Sequence, residues 1–233
     1  AEIAKRYGAN VVQLKIPSGR AATPDEASKI LEVTDDIAGV LITHNETATG
    51  VLNPVVKIAQ IVREHKTSPL LLIDSISALG AVDLPMDELG IDVLVSASQK
   101  AWMAPPGMAF IAVSDSVWER HKSAKMPRYY WDISMYKEFN AKIQTPATPA
   151  VSTLFGLDAS LALMKKEGRE KIYKRHLSLT KYLRDEIRKI GLELFVKDSD
   201  ASPTVTAIKI PDGFDPHHWL KILRENYNCV LVG

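Results

Sequence analysis

An α/β fold is what this sequence predicts: a mostly parallel, doubly wound sheet followed by a smaller α+β unit. Three observations carry that reading. Short continuous apolar runs recur, as Leu70-Leu71-Leu72-Ile73, Val93-Leu94-Val95 and Met108-Ala109-Phe110-Ile111-Ala112-Val113. Runs of this length between turn residues read as strands buried on both faces, hence a parallel or mixed sheet. Helical periods alternate with them, as in Val55, Ile58, Ala59 and Val62, the order of a sheet covered by helices on both faces. Beyond residue 150 two helices precede a few short strands, which marks a separate α+β unit. The expected division is therefore a large domain over 1–149 and a small one over 150–233.

Taken in order, residues 1–8 are helix-like, and Tyr7-Gly8-Ala9-Asn10 turns into a strand over 11–15. In Thr23-Pro24-Asp25-Glu26, Thr23 can cap a helix, Pro24 suits its first position and Glu26 completes a capping box. That helix is expected to run to about Val33, before a strand over 39–43 that ends at His44-Asn45-Glu46-Thr47-Ala48-Thr49-Gly50. Asn53-Pro54 opens the next helix, and the three central strands follow. Between 122 and 149 periodicity fades while Tyr129, Tyr130, Trp131, Tyr136 and Phe139 appear in a long connection. Core burial is the ordinary expectation for such aromatics, although connections this long are usually functional or pack on a partner. Residues 151–190 read as two helices broken near Gly168, 192–196 and 204–208 as strands, 216–226 as a helix, and 229–233 as a final strand.

The totals describe a globular chain. Its 233 residues are 46% hydrophobic and carry a formal charge of +1, so a full core is expected. Such a charge offers no electrostatic reason to expect nucleic acid or an anionic membrane as partner. A single cysteine, Cys229, excludes an intrachain disulfide and suits a reducing cytosol; in an apolar strand it reads as a buried thiol. No apolar run reaches membrane-spanning length, so a cytoplasmic location is expected. Asn45-Glu46-Thr47 matches a glycosylation sequon and reads as chance. No metal centre is expected: His217-His218 has no plausible companion ligands and reads as surface. No Gly-x-Gly-x-x-Gly follows a strand and no Gly-x-x-x-x-Gly-Lys occurs, which puts a dinucleotide or nucleotide fold well behind.

Asp74 ends one central strand and Lys100 follows the next, where open α/β sheets bind ligands. A lysine is ordinarily a solvated surface group, and an aspartate at a strand end ordinarily a turn residue. Together they suit pyridoxal phosphate, which needs a lysine for its Schiff base and an acid beside its pyridine nitrogen. Lys100 would have to be deprotonated to react, and could afterwards move a proton. His44 lies near this end and reads as a satisfied structural histidine.

Four stretches carry a resemblance: Asp74-Ser75-Ile76-Ser77-Ala78-Leu79-Gly80, Gly90-Ile91-Asp92, Ser96-Ala97-Ser98-Gln99-Lys100 and Ala104-Pro105-Pro106-Gly107. In order and spacing they resemble the class V aminotransferases, nearest the serine–pyruvate and alanine–glyoxylate branch, some relatives of which are labelled soluble hydrogenase small subunits. The resemblance extends along nearly the whole chain and implies the fold-type I pyridoxal phosphate transferase fold. It also implies catalytic roles for Lys100 and Asp74, a phosphate contact from Gln99, and a further donor in Ser98. Thr47 would lie near the cofactor's ring oxygen, Ile76 on its ring face, and Thr148 would reach the phosphate of a neighbouring subunit. Such a composite site implies a homodimer, for which the aromatics of 122–149 are the candidate interface. Where the family often has a tyrosine, this chain has Thr145. Against the family pattern the chain lacks an N-terminal portion with a glycine-rich phosphate loop and a ring-covering aromatic. It also lacks a C-terminal arginine that holds the substrate carboxylate, so a fragment of a longer protein is expected. The implied reaction moves an amino group from serine or alanine to glyoxylate or pyruvate. Two alternatives stand beside it. One is another chemistry on the same cofactor, a lyase or cysteine desulfuration, against which Cys229 as the only cysteine weighs. The other is a non-catalytic partner subunit, against which Lys100 and Asp74 weigh.

Overall fold

The computed structural model describes residues 1–232. Four strands form one sheet in the order β1-β4-β5-β6: β1 (Gly39–Thr43), β4 (Leu70–Asp74), β5 (Val93–Ala97) and β6 (Ala109–Val113). A separate hairpin, β2 (Asn45–Glu46) with β3 (Val51–Leu52), stands beyond the end of β1. β4 is parallel to both neighbours, with Thr43 opposite Asp74 and Asp74 opposite Val95. β6 returns antiparallel, Val95 facing Ile111. Its direction follows from a connection that doubles back, Ser98 N–H donating to Met108 O (3.1 Å) and Ala104 N–H to Ser98 O (3.0 Å); a parallel return needs a longer crossover.

Helices α2 (Pro24–Glu32) and α3 (Val55–Arg63) cover one face of this sheet. The capping box at α2 forms as the residues imply: Thr23 Oγ1 accepts from Glu26 N–H (3.2 Å), and Glu26 Oε2 from Thr23 N–H (2.9 Å). Every apolar position of the α3 period, Val55, Ile58, Ala59 and Val62, is buried. These side chains meet Leu71 and Ile73 of β4 and Leu94 of β5 in the principal core, joined by Ile91 and by Leu84 just before the short helix α4 (Met86–Leu89).

The opposite face departs from expectation. Leu41 is 74% exposed and Ile111 55% exposed, so the apolar runs that foretold two covered faces have helices over only one among the described residues. The register explains the split: Val40 and Ile42 share the covered side with Leu71 and Ile73, and Leu41 lies with Leu72 on the other. The strand expected over 11–15 does not form. Among the described residues no partner strand lies beside it, and Val12 and Leu14 are exposed, which leaves no ladder to hold it.

After β6 come α5 (Asp115–Ser123) and, inside the supposed long connection, α6 (Ile133–Asn140). Asp132 caps α6 by accepting from Ser134 N–H (3.0 Å) and also holds His121 Nε2 (2.9 Å) and Arg128 Nε (3.0 Å). Core burial of the aromatics here is overturned, since Tyr129 and Trp131 are 82% and 76% exposed. The two long helices are α7 (Val151–Glu167) and α8 (Arg169–Lys189), broken at Gly168, φ +90°. The expected strands over 192–196 and 204–208 shrink to one antiparallel bridge, Leu194 to Ile208, flanked by Phe195 N–H donating to Ala207 O (2.9 Å). α9 (Pro216–Tyr227) ends at Asn228, φ +51°, and no strand forms over 229–232; Gly233 lies outside the described residues. Cys229 is consequently exposed rather than buried. α1 (Glu2–Arg6) stands on the surface with no buried residue.

The asymmetry of the sheet is measurable. In the 233-residue chain, Leu71→Ala removes a side chain at the centre of the core and is expected to cost roughly 3 kcal/mol. Leu41→Ala, on the open face, should stay within about 0.5 kcal/mol. Urea unfolding of the two variants against the parent checks both.

Candidate active site

The carboxyl ends of β4 and β5 carry the candidate residues Asp74 and Lys100. Asp74, the last residue of β4, is exposed, and its Oδ1 accepts from Ile76 N–H (3.0 Å), which starts a tight turn. Ser75 N–H donates to Val95 O (3.0 Å) and Leu79 N–H to Ser75 O (2.8 Å), so the turn is fastened to β5 as it leaves β4. The loop after β5 carries Lys100, exposed and without an ion pair or hydrogen bond to its ammonium among the described residues. Met103 N–H donates to Lys100 O (3.0 Å), and Met103 itself stands at φ +56°, a conformation uncommon for a residue of its size. The two loops touch: a Cβ added at Gly80, φ +102°, would stand 3.4 Å from Ala101 Cβ. Asp74 and Lys100 thus belong to adjoining loops at one end of neighbouring parallel strands, the ligand end of an open α/β sheet.

Buried hydroxyls brace this frame. Ser98 is fully buried; its Oγ donates to Pro105 O (2.7 Å) and accepts from Met108 N–H (3.3 Å). Its proton is thereby spent on the loop, so Ser98 serves the turn and not an anion. Trp102 Nε1 donates to buried Ser96 Oγ (2.8 Å), and Ser160 Oγ of α7 donates to Trp102 O. α7 approaches closely because Gly156 faces Pro105, whose Cδ would lie 2.8 Å from an added Cβ. Sequence reasoning missed Ser96, Trp102, Gly156 and Ser160; the one available signal was the small pair Gly156 and Ser160, four residues apart on one helix face.

On the β1 side, His44 is buried, with Nδ1 2.9 Å from Ser75 Oγ and its N–H donating to Asp74 O (2.7 Å). Burial holds its imidazole down to a pKa of about 4, so it is neutral at physiological pH. The satisfied structural reading of His44 agrees with this geometry. Thr47 is exposed, and its Oγ1 donates to Ser77 Oγ (2.9 Å). Asn45, also missed, is buried; its Nδ2 donates to Ser77 Oγ (2.7 Å) while its Oδ1 has no partner among the described residues. A buried acceptor left alone costs about 1–3 kcal/mol, which a bound group carrying a donor would relieve. Ile76 is half-buried in the turn after Asp74, and Gln99 is exposed beside Lys100. Thr148 is exposed in the segment before α7, and no hydrogen bond ties it to the Lys100 loop among the described residues. Thr145 Oγ1 donates to Ala147 O (2.7 Å).

Two surface cavities, of about 410 and 430 Å³, lie elsewhere. The first is at the amino ends of β4 and β5, near Leu70 and Asp92; the second lies between Arg20 and Lys197. Neither gathers a lysine and a carboxylate at strand ends. No group of residues suited to a metal ion occurs among the described residues, and none of their helices is long and apolar enough to cross a membrane.

This is an α/β protein with a lysine and an aspartate on adjoining loops at the carboxyl end of its sheet. The family model of aminotransferase class V matches residues 1–233, and the chain belongs to that family. It is 38% identical to the soluble hydrogenase 42 kDa subunit of Anabaena cylindrica, over all of this chain and 61% of that one. With the L-aspartate–glyoxylate aminotransferase of Paracoccus denitrificans it shares 34% identity, over 99% of this chain and 59% of the relative. The crystal structure of an alanine–glyoxylate aminotransferase from Nostoc sp. superposes with a TM-score of 0.92 at 28% identity, over all of this chain and 62% of that one. The chain therefore spans about three-fifths of the length of these relatives.

His44 makes acid stability a test of this geometry. Its pKa is about 4 folded against an ordinary 6.5, so between those values the unfolded chain binds the extra proton. Stability from this group is present above pH 6.5 and is lost as pH falls towards 4, by on the order of 3 kcal/mol. Urea unfolding at pH 7, 5.5 and 4.5 should show that loss, and His44→Gln should flatten it.

Proposed function

We propose that the protein to which this chain belongs is a pyridoxal phosphate-dependent transaminase that moves an amino group from a small amino acid, serine or alanine, to glyoxylate or pyruvate. The observation that carries it is the adjoining pair of loops bearing Asp74 and Lys100, in a chain that matches the family throughout. The residues present fit the cofactor: an unpaired amine, a carboxylate one loop away, and the unpartnered oxygen of Asn45 close by. When bound, pyridoxal phosphate supplies an electron sink for the carbanion formed at the amino acid's α-carbon.

Lys100 Nζ would hold the cofactor, and its amine is the group placed to take up and return a proton at the reacting carbon. Its loop backbone is closed by Met103 N–H to Lys100 O and held by Trp102 and Ser160, which fixes the point from which the side chain extends. Asp74 would keep the pyridine nitrogen protonated, its other duty being the turn to Ile76. With the cofactor bound, Ile76 would pack on the ring, Gln99 would contact the phosphate and Thr47 would lie near the ring oxygen. Thr148 contributes from the neighbouring subunit of a homodimer, whose interface includes the exposed Tyr129 and Trp131. Division into 1–149 and 150–233 and a cytoplasmic location complete the proposal. Glyoxylate as acceptor agrees with two of the relatives, while their names divide between alanine and aspartate as donor.

One observation favours a second reading. The 38% identical relative is named as a hydrogenase subunit, so a non-catalytic partner role is the alternative.

The absorption spectrum of the full-length protein with pyridoxal phosphate separates the two. A visible band that bleaches on adding serine or alanine, and is missing in Lys100→Ala, is the expected outcome. Asp74→Asn should keep the band and slow the bleaching by about 10²-fold or more. A colourless wild-type protein under every condition sinks the enzyme reading.

A further inference from the structure

The segment 201–205, far along the chain, reaches back to the cofactor side of the sheet. Ala201 bridges Val51 of β3, and Ser202 N–H donates to Gly50 O (2.8 Å). Only a glycine permits this approach: at φ +75°, an added Cβ on Gly50 would stand 2.8 Å from Val205 O. Ser202 is fully buried, and its Oγ accepts from Thr204 N–H (3.0 Å) and lies 3.0 Å from Thr204 Oγ1.

The protons in this cluster can be assigned. Thr204 Oγ1 donates its one hydrogen to Ser77 O (2.8 Å), so Ser202 is the donor between the two hydroxyls. Asn45 Nδ2 donates one hydrogen to Ser77 Oγ (2.7 Å) and one to Thr204 Oγ1 (3.3 Å). Ser77 Oγ donates to Asn45 O (3.1 Å) and accepts from both Asn45 and Thr47 (2.9 Å). The Ser77 hydroxyl is therefore saturated; Ser77 is held by Thr204 at its carbonyl and by Asn45 at its hydroxyl, and among the described residues it is the only partner of the Thr47 hydroxyl.

We propose that Thr204 is a positioning residue for Thr47, acting through Ser77 and Asn45, so that the segment 201–205 sets the hydroxyl that stands beside the cofactor's ring oxygen. This rests on the transaminase reading, which places Thr47 there. Removing the Thr204 hydroxyl leaves Ser77 O without its donor and frees one hydrogen of Asn45, so the carboxamide and the Ser77 hydroxyl lose their common orientation. A hydroxyl-bearing replacement restores both bonds.

The test uses the full-length protein saturated with pyridoxal phosphate, reading the pH titration of its visible band and the cofactor dissociation constant. Thr204→Val is expected to shift the titration midpoint by about half a pH unit or more and to weaken cofactor binding about five- to tenfold, the worth of one hydrogen bond. Thr204→Ser should restore both. Thr180→Val is the structural control: Thr180 Oγ1 donates to Pro203 O (2.7 Å), an anchor of the same segment that does not touch Ser77. It should leave the titration as in wild type. An unchanged titration in Thr204→Val overturns the proposal, and so does an equal shift in Thr180→Val or a failure of Thr204→Ser to restore it. Should Thr204→Val not fold, Ser202→Ala removes the donor to Thr204 and is read by the same two criteria. A wild-type protein with no visible band fails the transaminase reading itself, an outcome separate from all of these.

Discussion

The parallel pairing of β4 with a strand on either side is the constraint on which the rest depends. Because β4 and β5 run the same way and pair from Leu72–Val93 to Asp74–Val95, both end at the same edge of the sheet, β5 two residues further on. Their following loops must then emerge side by side, and the contact between Gly80 and Ala101 is the result. The same register places Leu71 and Ile73 under α3, so one strand supplies both the core and the carboxylate at its end. Core packing and site geometry are here two consequences of one alignment.

Around the exposed Asp74 and Lys100 stands a ring of buried small hydroxyls: Ser75, Ser77, Ser96 and Ser98. Each has a specific partner, respectively His44, Asn45, Trp102 and Pro105. Unpaired, each would cost free energy at its buried position; paired, it ties a loop to a strand. The loops can therefore be irregular without being loose. The groups suited to chemistry are left unburied, and the ones beside them are spent on architecture. Ser98 makes the distinction plain: next to Gln99 and Lys100 in sequence, it faces the turn instead.

Two distant parts of the chain complete the frame. α7 lays Gly156 and Ser160 against the loop that follows Lys100, and the segment 201–205 lays Ser202 and Thr204 against the turn that follows Asp74. Glycine enables both approaches, at Gly156 and at Gly50, where a side chain would meet its neighbour at 2.8 Å. Each half of the site is thus held from outside the sheet that generates it.

By itself the sequence determined the elements whose signals are local. Apolar runs located β1, β4, β5 and β6, a 3.6-residue period located α3, and Thr23 with Glu26 marked the start of α2. Strand ends also put Asp74 and Lys100 at the ligand end of the sheet. Tertiary structure alone decided what depends on distant partners. Residues 11–15 have strand-like composition but no neighbouring strand to complete a ladder. Leu41 and Ile111 look like core in sequence, yet their face is uncovered among the described residues, because periodicity shows which side is apolar and not whether anything packs there. Asn45, Ser77 and Thr204 lie 32 and 127 residues apart along the chain. A hydrogen bond has no sequence period, so only folding could bring those three side chains together.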